Sequence, residues 1–199
     1  MRRLIGLSAF VVCMWGATAW GQEAELWLKF RLPVIDKAKR YERASLERAF
    51  APLKLELREY GRGEGEIVHV YRFFMEKSRP VVELELSEGK SGKPLRQTFY
   101  YGEVKVAQKV IQLGASFEQI QKTVGLLSCM TVHPESIYNY SDALCSIKGT
   151  SETVMLFFKM PPGSMSNCKE YDCSDVDARK MLLKHPQTPL DYVTIDYSK

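Results

Sequence analysis

Beyond its first 21 residues the sequence has no apolar run long enough to span a membrane, and the run there, Leu4 to Trp15, is itself short for a span. It has no nucleophile elbow, no phosphate-binding loop, no dinucleotide fingerprint and no His-Glu-x-x-His pair. Its one glycine-rich stretch, Gly61-Arg62-Gly63-Glu64-Gly65, lacks a following helix and the spacing for phosphate, and reads as a turn. Histidine is scarce: His69, His133 and His185 are scattered, in a strand core and in two loops. Cys168, Cys173 and His185 are too irregularly spaced for zinc, so no metal site and no cofactor is expected. The carboxylates lie on wet faces of strands and helices, with no pair assigned to one cleft. Charge of one sign is also lacking. Lys and Arg number 28 against 24 acidic residues, and without Arg2 and Arg3 the balance is 26 to 24. No basic stripe interleaved with aromatics remains, which excludes nucleic acid as a partner.

What is present begins with an export signature. Arg2-Arg3, the apolar core from Leu4 to Trp15, and the small-x-small sites Ala17-Thr18-Ala19 and Ala19-Trp20-Gly21 read as a signal peptide over residues 1–21. Phe10-Val11-Val12 before Cys13 is a poor lipobox, which disfavours a lipoprotein. Four cysteines follow: Cys129, Cys145, Cys168 and Cys173. An even count behind a signal peptide implies an oxidising compartment and two disulfides, with three pairings open. Hydrophobic residues at 45% and charged residues at 26% are those of a globular protein, expected in the periplasm or outside the cell.

Taken in order, residues 35–50 read as a helix capped by Asp36, with Ile35, Ala38, Tyr41, Ser45 and Ala49 on one face. Antiparallel strands follow. Leu53, Leu55 and Leu57 alternate with charges, residues 66–75 look buried on both faces, Val82, Leu84 and Leu86 alternate with Glu83 and Glu85, and Leu95 to Tyr101 forms a further strand. In the second half, Gly114 closes one short helical segment begun near Val106 and Ser116 opens another. Ser116 with Gln119 is a capping box, Phe117, Ile120 and Val124 share a face, and Gly125 ends the helix. A loop, strands near 136–148, 152–160 and 190–197, and a short helix within 175–184 complete the outline.

Ile111, Leu113, Gly114, Ser116, Gln119, Ile120, Val124, Gly125, Ser128, Cys129 and Cys145 together carry a pattern that resembles the repeat of the β-lactamase inhibitory proteins. The helical corner alone is more loosely similar to the small lipoprotein of outer-membrane barrel assembly. The sequence departs from the usual Gly-Met-Thr at Ala115 and Ser116, and the first half has neither the Gly-x-Ser corner nor a cysteine. The resemblance implies the pairing Cys129–Cys145, which leaves Cys168–Cys173 to close a small loop. It also implies an α+β fold of helices packed on antiparallel β-sheet, as two tandem helix-plus-sheet units. The organisation expected is a signal peptide at 1–21, a helix plus meander at 22–103, and a disulfide-stapled, inhibitor-like helix corner plus sheet at 104–199.

In that family a concave sheet face binds its target through aromatics, which makes Tyr138, Tyr140, Tyr100 and Tyr101 the candidate anchors. The function expected is therefore an exported, non-catalytic protein–protein binding module of the inhibitor type, with a protein partner whose identity the residues do not give. An envelope assembly factor fits the same residues. A small-ligand carrier with its cavity between sheet and helices, or an enzyme built around His133 and the 163–189 loop, are the rivals from other classes.

Overall fold

The structure, a computed structural model, describes residues 31–61, 67–75, 79–88, 91–106, 108–125, 127–132, 142–147, 153–161 and 178–198. In chain order these form β1 (Arg31–Leu32), α1 (Arg43–Ala49), β2 (Lys54–Gly61), β3 (Ile67–Phe74), β4 (Val82–Leu86), β5 (Pro94–Phe99), β6 (Glu103–Val106) and β7 (Lys109–Gln112). After them come α2 (Phe117–Val124), β8 (Leu127–Val132), β9 (Asp142–Ile147), β10 (Thr153–Lys159), α3 (Ala178–Lys184) and β11 (Leu190–Asp196).

Period-two patterning makes the strands. β4 reads Val-Glu-Leu-Glu-Leu and buries its three apolar side chains, while Glu83 and Glu85 stay half-buried. β10 does the same with Val154, Leu156 and Phe158. Eight strands join in one wholly antiparallel sheet, in the order β2-β3-β4-β5-β11-β10-β9-β8. Two consecutive meanders, β2–β5 and β8–β11, thus abut along their last strands. There Thr98 lies opposite Thr194, their hydroxyls 3.1 Å apart. A second, three-stranded sheet has the order β1-β6-β7, with β1 parallel to β6.

Directly opposed residues share a face, so the register writes the core as a row. Leu55, Phe73, Val82, Phe99, Val193, Leu156, Cys145 and Cys129 oppose one another in turn across all eight strands. The middle six are buried. Phe50 lies 4.3 Å from Phe73, and Phe117 meets Phe158 edge-on at 5.4 Å. Leu32, Leu46, Val104, Ile111 and Leu182 belong to the same buried cluster.

The expected α+β class, helices packed on antiparallel sheet in two tandem units, is overturned. Strand is the dominant element: the three helices among the described residues have seven, eight and seven residues, too few turns to bury a core between them. One sheet crosses both halves instead. Two local expectations change with it. The helix expected over 35–50 survives only as Arg43–Ala49. Ahead of it the Asp36 carboxylate turns back to accept from the Ala38 N–H at 2.9 Å, and Tyr41 exchanges backbone hydrogen bonds with Gly92. The segment expected as the first helix of the corner, Val106 to Gly114, instead forms the β6–β7 hairpin, turned at Gln108 with φ 66°. The boundary drawn between residues 103 and 104 falls inside β6.

The second half of the corner is as the sequence predicts. The Ser116 Oγ accepts from the Gln119 N–H at 3.3 Å and the Gln119 Oε1 from the Ser116 N–H at 3.0 Å. Gly114 and Gly125 stand at φ 80° and 87°, where a side chain would be strained.

Candidate functional site

Opposite the core row the sheet has a second face, and its register can be read the same way. Tyr192 on β11 opposes Phe157 on β10, Phe157 opposes Leu144 on β9, and Leu144 opposes Met130 on β8. The Tyr192 and Phe157 rings stack at 4.1 Å with planes 14° apart. Tyr100, just past the end of β5, continues the row at 5.8 Å from Tyr192. Met130 is 61% exposed and the other four are half-buried, so an apolar, mostly aromatic band crosses half the sheet without entering the core. Met155 flanks it, opposite Thr194 and Ser146.

The other half of this face is a ladder of alternating charge. Glu56 opposes Arg72, Arg72 opposes Glu83, Glu85 opposes Arg96, and Arg96 opposes Asp196. Arg72 Nε lies 2.6 Å from Glu83 Oε1, and Arg96 lies 3.5 Å from Glu85. Ladder and band meet at Tyr100, whose hydroxyl donates to Glu83 at 2.9 Å. Burial, and then the adjacent Glu83 charge, push that phenol above its ordinary pKa, so it stays a neutral donor. The Arg79 guanidinium lies over the Tyr100 ring at 4.8 Å and pairs with Asp191 at 3.4 Å.

Tyr101 stands apart from the band. It is 41% exposed and its ring lies 5.9 Å from the Arg79 guanidinium. With Arg79, Gly102, Gly114 and Leu190 it lines a cleft of about 260 Å³ at the end of the sheet. Of the four anchors the sequence suggests, then, Tyr100 belongs to the band and also lines the neighbouring cleft, Tyr101 lines only that cleft, and Tyr138 and Tyr140 lie outside the described residues. Gly114, Ser116, Gln119 and Gly125 form no part of the face. They build the corner that holds β11 in place: Gly114 N–H donates to Leu190 and Leu190 N–H to Ala115, both at 2.9 Å.

The Cys129–Cys145 disulfide is present, joining β8 to β9. Cys168 and Cys173 lie outside the described residues, as do His133 and the signal segment. His69 sits on the inner side of β3, 4.0 Å from Glu59, and His185 follows α3. Among the described residues no three His, Cys, Asp or Glu side chains gather as a metal site, and no helix is long and apolar enough to cross a membrane.

Phe157, Tyr192, Leu144 and Met130 are band residues the sequence did not single out. The signal was there for two of them: alternation in 153–159 and 190–196 sets Phe157 and Tyr192 opposite the buried Leu156 and Val193. Only the strand order brings them together. The chain matches no family model, no curated protein and no solved structure.

Proposed function

We propose that this chain is an exported, non-catalytic protein–protein binding module whose contact surface is the band Tyr100–Tyr192–Phe157–Leu144–Met130. The observation that carries the reading is the band itself: aromatic, aliphatic and thioether side chains, register-paired across four strands and, but for the exposed Met130, half-buried on a face flanked by paired charges. Aromatics of this kind bury large area at small entropic cost, the usual composition of interface hot spots. A preformed sheet lowers the ordering cost of binding. The Cys129–Cys145 bridge adds to this, since it lies on the strands and next in sequence to Met130 and Leu144, and fixes their hairpin.

Export is supported by the signal-like start of the sequence and by the disulfide, which an oxidising compartment would maintain. The resemblance of the corner at Gly114, Ser116, Gln119 and Gly125 to the β-lactamase inhibitory proteins makes an enzyme the partner of first choice. An envelope assembly factor would use the same face, and the partner's identity separates the two.

The test is a crosslinked capture from envelope extract with the mature chain from Gln22, beside a Phe157→Ala/Tyr192→Ala variant. Truncating one interface hot spot costs about 2 kcal/mol, or about thirtyfold in Kd. One dominant partner held by the native chain and lost by a variant with an unchanged circular dichroism spectrum is the expected result. Equal capture by both chains would remove the band from the interface.

A further inference from the structure

Strand β2 ends the large sheet, and β3 is its one strand neighbour among the described residues. Over Lys54–Gly61 its outer row of backbone N–H and C=O groups therefore faces away from the sheet, a template for another strand. The side chains along this edge are charged and aromatic. Lys54, Glu56, Arg58 and Tyr60 point to the outer face and are exposed, while Leu55 and Leu57 are half-buried on the inner one.

From this edge we infer that a second copy of the chain pairs with the first, β2 to β2, antiparallel about Leu57. The register follows from charge. If both copies keep their apolar inner faces on the same side, the local twofold axis stands perpendicular to the sheet, and opposed residues lie at equal distances either side of a central residue. Centred on Glu56, the pairing sets Glu56 against itself and Lys54 against Arg58. Centred on Arg58, it sets Arg58 against itself and Leu57 against Glu59. Centred on Glu59, it opposes two Glu59 carboxylates, and centred on Leu55 it spans only positions 54–56. Centred on Leu57, it opposes Glu56 to Arg58 twice, Lys54 to Tyr60 twice, and Leu57 to Leu57.

The Leu57 register is the one in which the strand is complementary to itself. Unlike charges directly opposed across strands attract, and like charges repel. Tyr60 is 44% exposed, which leaves its ring open to the partner's Lys54 ammonium. Leu55 against Glu59 is the one indifferent pair. Glu56 and Arg58 already lie 2.7 Å apart within the strand, about half exposed, so they are presented to the copy in place. The product is a continuous sheet of sixteen strands, twice the eight of one copy. Because the central pairs are exposed, its stability falls as salt rises. The inference stands on the edge alone and does not depend on the partner-binding band.

The experiment is sedimentation equilibrium of the oxidised mature chain over about 1 µM to about 1 mM, with Glu56→Arg and Arg58→Glu variants. Each variant alone sets two pairs of like charges opposite one another and self-associates about tenfold more weakly or worse. An equimolar mixture restores both attractions, since positions 56 and 58 then carry arginine in one chain and glutamate in the other, and associates as the native chain does. A chain monomeric throughout, or a mixture no tighter than its components, overturns the proposal. Should the charge variants fold poorly, single cysteines decide it. Oxidation links Leu57→Cys into a dimer and leaves Leu55→Cys unlinked, whereas linkage through position 55 or none at 57 refutes the register.

Discussion

Gln97 shows how much one side chain can hold. It is fully buried, yet its Oε1 accepts from the Ile35 N–H at 3.1 Å and the Tyr197 hydroxyl at 3.0 Å, and its Nε2 donates to the Pro33 carbonyl at 2.9 Å. The amide thereby ties the segment after β1 and the end of β11 to the centre of the sheet. Gln97→Met keeps the volume and strands those partners in a dry site, with an expected loss of about 2–4 kcal/mol in urea unfolding. A loss under about 1 kcal/mol would mean that water or a shift of the backbone satisfies them. Tyr100 allows a pH test. Its folded pKa lies above the ordinary 10, so the phenol stabilises the fold fully below pH 10 and loses that contribution as pH climbs through the raised value. Tyr100→Phe should cost about 1–2 kcal/mol at neutral pH, and the gap to the native chain should narrow above pH 10. Neither role was legible in the sequence. Gln97 finds its partners 62 and 100 residues away, and Tyr100 finds Glu83 across a strand pair.

At the scale of elements, what the sequence shows best is whatever depends only on neighbours. The alternating strands 82–86, 153–159 and 190–196 lie where the pattern puts them, and the α2 capping box forms as Ser116 and Gln119 predict. Ser116→Ala should cost about 1 kcal/mol in thermal unfolding, and Ser116→Thr much less. A neutral Ser116→Ala would show that the bonds from Phe117 and Glu118 N–H to Thr188 and Pro186 hold the helix start unaided. Misreadings arose where a distant partner outvoted local pattern. Tyr41 is drawn into a bridge with Gly92, which removes the first two turns of the expected helix. The β6–β7 hairpin turns on Gln108 without a glycine to announce it. β8 opens Leu-Ser-Cys-Met, with polar Ser128 and apolar Met130 on one face, so no clean alternation marks it. The aromatic band shares that limit: two of its five residues lie on β8, which the pattern does not announce, and on β9, which is shorter than the strand expected near 136–148.

For the whole molecule the decisive feature is the seam between β5 and β11, whose threonines pair at a separation of 96 residues. The Cys129–Cys145 bridge does not cross it, since it closes a separation of 16 within one hairpin. Removing it with Cys129→Ser/Cys145→Ser should cost about 3 kcal/mol by loop entropy, through the unfolded chain more than through the seam. The seam itself rests on buried apolar contact. Val193 is fully buried, opposed by Phe99 on one side and Leu156 on the other, and so belongs to the cores of both meanders. Val193→Ala opens a cavity shared by the two, worth about 2 kcal/mol. If the eight strands fold as one cooperative unit, hydrogen exchange should show the amides of β3 and β9 losing the same amount of protection, though they lie on opposite sides of the seam. Loss in β9 with β3 unchanged would divide the sheet into two independently stable units, and the rigid platform inferred beneath the aromatic band would then end at β11.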